Sequence, residues 1–183
     1  PGHGSVFWFT ARLRHAQASP VALAPHLAAD VEGVLRSHHA GRRLLLVEDN
    51  PVNREVGLAL LHAVNLSVDT ASNGLEAVHA AAAYRYDLIL MDMQMPVMDG
   101  VDATLAIRKL PMHARTPILA LTANAFSEDR AECAAAGMTG FVSKPVNPTL
   151  LYQAILGQLD DAMRPPPAGD GLESPAIGAD PGS

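Results

Sequence analysis

The amino-acid sequence predicts a doubly wound α/β domain, a parallel sheet of five strands with helices on both faces, and three observations carry that expectation. Five short apolar runs alternate with helix-length segments along about residues 42–160. The runs Leu44–Val47, Leu88–Met91 and Ile118–Leu121 are apolar at every position, as strands buried on both sides are. Helix-opening signals follow the strands directly, and parallel strands need such crossovers between them.

Taken in order, Leu44–Val47 is the first strand and ends in Glu48-Asp49-Asn50-Pro51. Asn50 can cap a helix whose first position suits Pro51, so the stretch to Val64 is helical. Leu66–Thr70 reads as the second strand, Asn73-Gly74 as the next helix entry and Leu75–Ala83 as an Ala-rich helix. The third strand, Leu88–Met91, ends on Asp92, and a loop with Pro96 and Asp99-Gly100 leads to helix Val101–Lys109. Ile118–Leu121 is the fourth strand, Ala125–Ala136 a helix closed by Gly137, and Phe141–Ser143 the fifth strand. Asn147-Pro148 repeats the cap-plus-proline signature and opens a last helix to about Leu159. A domain of about 120 residues buries close to two thirds of its unfolded surface, enough to fold alone.

The flanks have different chemistry. Residues 1–14 hold three of the chain's eight aromatic residues in one strand-like run with no sheet nearby to join. Residues 15–41, interrupted by Pro20, Pro25 and Gly41, read as a linker with a short helical piece near Leu27–Leu35. His38-His39, the only His pair, is expected there in solvent. Residues 161–183 read as a disordered tail, with five Pro and four Gly among the last 19 positions. The net charge of −6 and the lack of any basic run disfavour nucleic acid and an anionic membrane surface as partners. No apolar stretch is long enough to span a bilayer, and one Cys makes neither a disulfide nor a Cys-based zinc site. Starting at Pro1 without a basic-then-apolar leader, the sequence reads as a piece of a longer protein.

The informative polar residues fall at the strand ends, where open parallel sheets bind ligands. Glu48 and Asp49 close the first strand, Asp92 the third, Thr122 the fourth and Lys144 the fifth. Clustered carboxylates repel one another, and a hard divalent cation removes that repulsion. Oxygen ligands without His or Cys suit Mg²⁺, with Mn²⁺ as the alternative. A metal, a free carboxylate, a hydroxyl and a Lys together make a phosphoryl-transfer site, with Asp92 as nucleophile. Asp99 and Asp102 are left as turn and helix-start residues. Met91 is expected in the core, Met93, Met95 and Met98 as packing around a loop, and Cys133 as a buried packing residue.

Leu45-Leu-Val-Glu-Asp-Asn-Pro-Val-Asn53, Leu88-Ile-Leu-Met-Asp-Met-Gln-Met-Pro-Val-Met-Asp-Gly100, Leu119-Ala-Leu-Thr-Ala-Asn-Ala125 and Gly140-Phe-Val-Ser-Lys-Pro145 resemble the signature stretches of response-regulator receiver domains. The resemblance covers about residues 43–160. It implies the flavodoxin-like strand order 2-1-3-4-5, which periodicity alone does not fix, and a cis peptide at Lys144-Pro145. It implies Asp92 as the residue phosphorylated from a phosphohistidine. Mg²⁺ would be held by Asp49, Asp92 and the backbone carbonyl of Gln94, with Glu48 acting through water. Lys144 would meet the phosphoryl oxygens, and Thr122 with Phe141 would form a switch. Gly2-His-Gly-Ser-Val-Phe7 resembles the last glycine box of the ATPase domain of histidine kinases, so the expected parent is a hybrid sensor kinase.

Expected partners are the phosphohistidine domain of that parent chain and a histidine phosphotransfer domain, downstream or in trans. The expected location is the cytoplasm, with the parent anchored in the bacterial inner membrane. None of the eight His stands in a kinase phosphoacceptor setting, so the chain should not phosphorylate itself from ATP, and residues 1–14 hold at most one strand of an ATPase fold, so it should bind no ATP. Two alternatives stand beside this reading. A haloacid-dehalogenase-type phosphatase wants a second Asp two residues after its nucleophile, where this sequence has Gln94. A pseudo-receiver, a pure interaction module, would lack an acidic, Asp or Lys position, and all are present.

Overall fold

The structure, a computed structural model, describes residues 31–123 and 127–163, and for residues 127–130 the backbone alone. The expected ATPase remnant at 1–14, most of the linker and all but the first three residues of the expected tail lie outside the described residues. Within them the order is α1 (Val31–His38), β1 (Arg43–Val47), α2 (Pro51–Ala63), β2 (Ser67–Ala71), α3 (Gly74–Ala83) and β3 (Leu88–Asp92). There follow α4 (Gly100–Arg108), a 3₁₀ turn (Pro111–His113), β4 (Ile118–Thr122), α5 (Ser127–Ala136), β5 (Gly140–Ser143) and α6 (Pro148–Met163). All strand pairs are parallel, in the order β2-β1-β3-β4-β5. The doubly wound fold is therefore as the sequence predicts, and Lys144-Pro145 is cis.

Alternation along the strands builds two unlike cores. Leu44, Leu46, Leu88, Leu90, Leu119 and Leu121 face one side, under α1, α2 and α6. Leu45, Val47, Ile89, Met91, Ile118 and Ala120 face the other, where Ala77, Ala81, Ala103 and Cys133 bring α3, α4 and α5 close. β3 and β4 are buried along their whole length, which is why they are apolar without alternation.

The helices start where their caps dictate. The Asn50 side chain accepts the backbone N–H groups of Val52 and Asn53, Asn73 accepts that of Glu76, and Asp99 accepts that of Asp102. Gly57 lets α2 lie against β1, since a Cβ there would stand 2.8 Å from Leu46.

Two local readings change. β2 begins one residue later than expected because Leu66 closes the turn instead, donating its N–H to the Leu61 carbonyl beside Asn65 at φ 60°. His39 is not in solvent: it is 2% exposed, with Nε2 3.0 Å from Asp160. The physical reason is α1, which packs on α6, puts Leu35 into the Leu-rich core and donates from Arg36 Nε to the Ala63 carbonyl. The same corner extends α6 past Leu159 to Met163, whose sulfur accepts from Arg42.

Candidate functional site

The carboxyl ends of β1, β3, β4 and β5 bring Glu48, Asp49, Asp92, Thr122 and Lys144 to one edge of the sheet. Glu48, Asp49 and Asp92 each offer a carboxylate oxygen, and these oxygens lie within 4.8 Å of one another. Lys144 bridges two of the acids: its Nζ is 2.7 Å from Asp92 Oδ2 and 2.7 Å from Glu48 Oε2. The remaining Asp92 oxygen, Oδ1, accepts the backbone N–H of Gln94 at 3.2 Å. A cleft of about 210 Å³ opens over Asp49, Asp92, Gln94 and Lys144.

Local sequence explains the placement. Gly100 permits the first turn of α4 to sit on the carbonyl of Asp92, a position any Cβ would invade, and its N–H bonds to the Met93 carbonyl. The intervening loop turns through Val97 at φ 72°, with the N–H of Met98 donating to the Pro96 carbonyl at 2.9 Å. A β-branched residue rarely adopts that conformation, and it costs about 1–3 kcal/mol. Met93, Met95 and Met98 pack against the Ala-rich core, as expected, and Cys133 Sγ lies 3.6 Å from Met93 Sδ.

Electrostatics follow from burial. Asp92 is raised above the ordinary carboxylate range, first by burial and further by the charge of Glu48, against the opposing Lys144 and the Gln94 amide. Burial alone would lower Lys144, but its hydrogen bonds to Asp92 and Glu48 prevail and raise it. Three carboxylates against one ammonium leave a net charge of about −2, which a divalent cation neutralises. The donor set therefore fits Mg²⁺: all oxygen, partly open and short of positive charge.

A family model described as the response regulator receiver domain matches residues 44–156. The chain belongs to the response regulator receiver domain family. Two-component system protein A of Emericella nidulans is 39% identical over 160 residues, covering 83% of this chain and 23% of that protein. Hybrid signal transduction histidine kinase B of Dictyostelium discoideum is 42% identical over 130 residues, 64% of this chain and 7% of that protein. The chain thus spans less than a quarter of these curated relatives. Among solved structures, the receiver domain of a sensor histidine kinase from Pseudomonas aeruginosa, with a magnesium ion in its active-site cleft, is 43% identical with a TM-score of 0.63. That match covers 66% of this chain and 99% of the other. Chemotaxis protein CheY4 of Vibrio cholerae gives 35% identity and a TM-score of 0.64 over 66% of this chain and 100% of its own. This is a receiver domain of two-component signalling, homologous to those of hybrid histidine kinases.

The receiver's remaining expected residues lie beside the acids. Thr122 is 6% exposed and lines a cavity of about 150 Å³ with Gln94, Asp99 and Glu132. Its carbonyl accepts the N–H of Lys144 at 2.7 Å, so the β4 hydroxyl residue and the β5 ammonium residue are joined through the backbone. Phe141 is 37% exposed and pairs with Ala120, two positions back along β5 from the Ser143 that pairs with Thr122. Sequence reading missed two side chains that reach back to Glu48. Asn53 Nδ2 donates to its Oε1 at 3.0 Å, and Arg54 Nη1 donates to its carbonyl at 2.9 Å. The only signal was their place in the first turn after the acidic pair, one turn from the residue they touch.

Proposed function

We propose that Asp92 accepts a phosphoryl group from a phosphohistidine and that the receiver relays it or changes one face in response. One carboxylate oxygen of Asp92 attacks phosphorus, the P–N bond breaks with its electron pair going to the imidazole, and the ring takes a proton from solvent. The observation that supports this most is Lys144, bonded at 2.7 Å to both Asp92 and Glu48 at the mouth of an acidic cleft. There its ammonium holds the nucleophile and stands ready to meet phosphoryl oxygens. Asp49, Asp92 and the Gln94 carbonyl would hold Mg²⁺, with Glu48 acting through water. When bound, Mg²⁺ supplies charge neutralisation for the acids and the incoming group.

Thr122 would donate its hydroxyl to the new phosphoryl oxygens, and Phe141 would turn inward as Thr122 moves. That couples the site to the face formed by α5, β5 and α6. On this reading the donor is the phosphohistidine of the parent kinase, and the acceptor is a histidine phosphotransfer domain. The domain works in the cytoplasm, with the parent anchored in the bacterial inner membrane. No helix among the described residues is long and apolar enough to cross a membrane.

Acetyl phosphate with Mg²⁺ should label Asp92 alone, and Asp92→Asn should abolish labelling with the circular dichroism spectrum intact. Label persisting in Asp92→Asn overturns the assignment. Beryllofluoride with Mg²⁺ should shift NMR signals of Thr122, Phe141 and α6. Shifts confined to the surroundings of Asp92 would leave a relay without a conformational output.

A further inference from the structure

Glu48 is 2% exposed, and both of its oxygens are engaged: Oε2 by Lys144 at 2.7 Å and Oε1 by Asn53 Nδ2 at 3.0 Å. The two partners differ in charge. Lys144 is shared with Asp92, so it cannot by itself fix the plane of the Glu48 carboxylate. Asn53 supplies the second point of attachment, and as a neutral amide it leaves the negative charge of the cleft undiminished. Its own position is set from two sides: its backbone N–H bonds to Asn50 Oδ1 at 3.2 Å, and the adjacent Arg54 grips the Glu48 carbonyl at 2.9 Å. Asn53 also lines the cleft over Asp49 and Asp92. A Lys here would compete with a cation, and an Ala would leave one buried carboxylate oxygen without this donor.

We propose that Asn53 is a positioning residue for the divalent cation, orienting Glu48 toward it through the Nδ2–Oε1 hydrogen bond while adding no charge. The inference rests on the Mg²⁺ site proposed above and acts through Glu48 alone. Partners that orient the groups around a metal typically change affinity by about 10–100-fold, and Glu48 working through water places Asn53 at the low end.

Titration calorimetry with Mg²⁺ on the full chain tests this with Asn53→Ala, Glu48→Gln and the double variant, alongside melting temperatures in EDTA. Asn53→Ala should weaken Mg²⁺ about tenfold. Its melting temperature in EDTA should fall, because a buried Glu48 oxygen loses its donor, and it should weaken Mg²⁺ no further in the Glu48→Gln background. Wild-type affinity in Asn53→Ala overturns the proposal. So do losses that multiply in the double variant, since these would show that Asn53 acts independently of Glu48. A parent protein that binds no Mg²⁺ overturns the underlying site together with it, whereas the other two outcomes leave the site standing.

Discussion

The amino ends of the strands are also lined with charge, yet they hold it differently from the carboxyl ends. At the amino ends Arg42 lies 2.8 Å from Asp87 and Arg43 2.7 Å from Asp69, with every partner between 33% and 38% exposed. Each acid there has its own cation. Arg43 also stacks 4.3 Å from the Tyr84 ring centroid, and Asp69 accepts the Tyr86 hydroxyl, whose pKa is driven up by burial first and by that hydrogen bond next. Arg108 donates to the carbonyls of Gly137, His113 and Thr116, tying α4 to the turns before β4 and β5. At the carboxyl ends the side chains of Glu48 and Asp92 are 3% and 6% exposed, and Lys144 is shared between them. A positive φ on Val97 lies at the same end. Like charge accumulates where a cation can relieve it, while each acid at the opposite end is neutralised by its own arginine and helps hold the fold together.

The contrast breaks most visibly at Lys144. Lys144→Ala should slow labelling of Asp92 by about 10²–10³, and a rate within twofold of the parent protein would contradict it. The raised Asp92 adds a pH signature. A carboxyl raised by folding makes the native state less stable as pH climbs from the ordinary carboxylate range through the raised value. Mg²⁺ must displace that extra proton, so its affinity should decline as pH falls through the raised value, above the range where ordinary carboxylates titrate. Calorimetry across that fall in pH decides it.

Arg108→Ala tests the other end. It removes charge-assisted bonds to partly buried carbonyls and should lower stability by about 2 kcal/mol in urea unfolding, with the labelling rate unchanged. Val97→Gly should raise stability by about 1 kcal/mol, because glycine adopts the positive φ without strain but loses more freedom on folding. A destabilised Val97→Gly would show that the exposed Val side chain makes contacts that matter. Smallest is Arg42→Ala: its pair with Asp87 is about a third exposed, and solvent screening limits the loss to under about 1 kcal/mol.

Much of this was legible in the sequence because the signals are local. Asn50, Asn73 and Asp99 cap the helices they precede, and a cap reaches no further than the third residue of its own helix. The fully buried β3 and β4 announced themselves as runs without a polar residue, and a run that ends in an acid, Asp92, marks both a strand end and a site. The strand order needed the family resemblance, since the periodicity of a strand does not say which strand lies beside it.

Tertiary structure decided the rest, and the separations along the chain say why. His39 and Asp160 are 121 residues apart, and nothing near either predicts the other. Without that contact α1 reads as a linker, since its eight residues are too few to hold a helix alone in water. Docked on α6, it buries Leu35 and His39 and becomes part of the domain. Lys144 meets Asp92 across 52 residues, a pairing suggested by strand ends but fixed only by the register of β4 against both neighbours. Asn53 is the intermediate case. Five residues from Glu48, it is near enough to be suspected, but its amide points at that carboxylate only because α2 leaves the sheet where Asn50 caps it and Gly57 lets it lie close. Short-range chemistry wrote the elements and placed the acids at their ends; packing of elements distant in sequence chose which charges share a cation or a hydrogen bond.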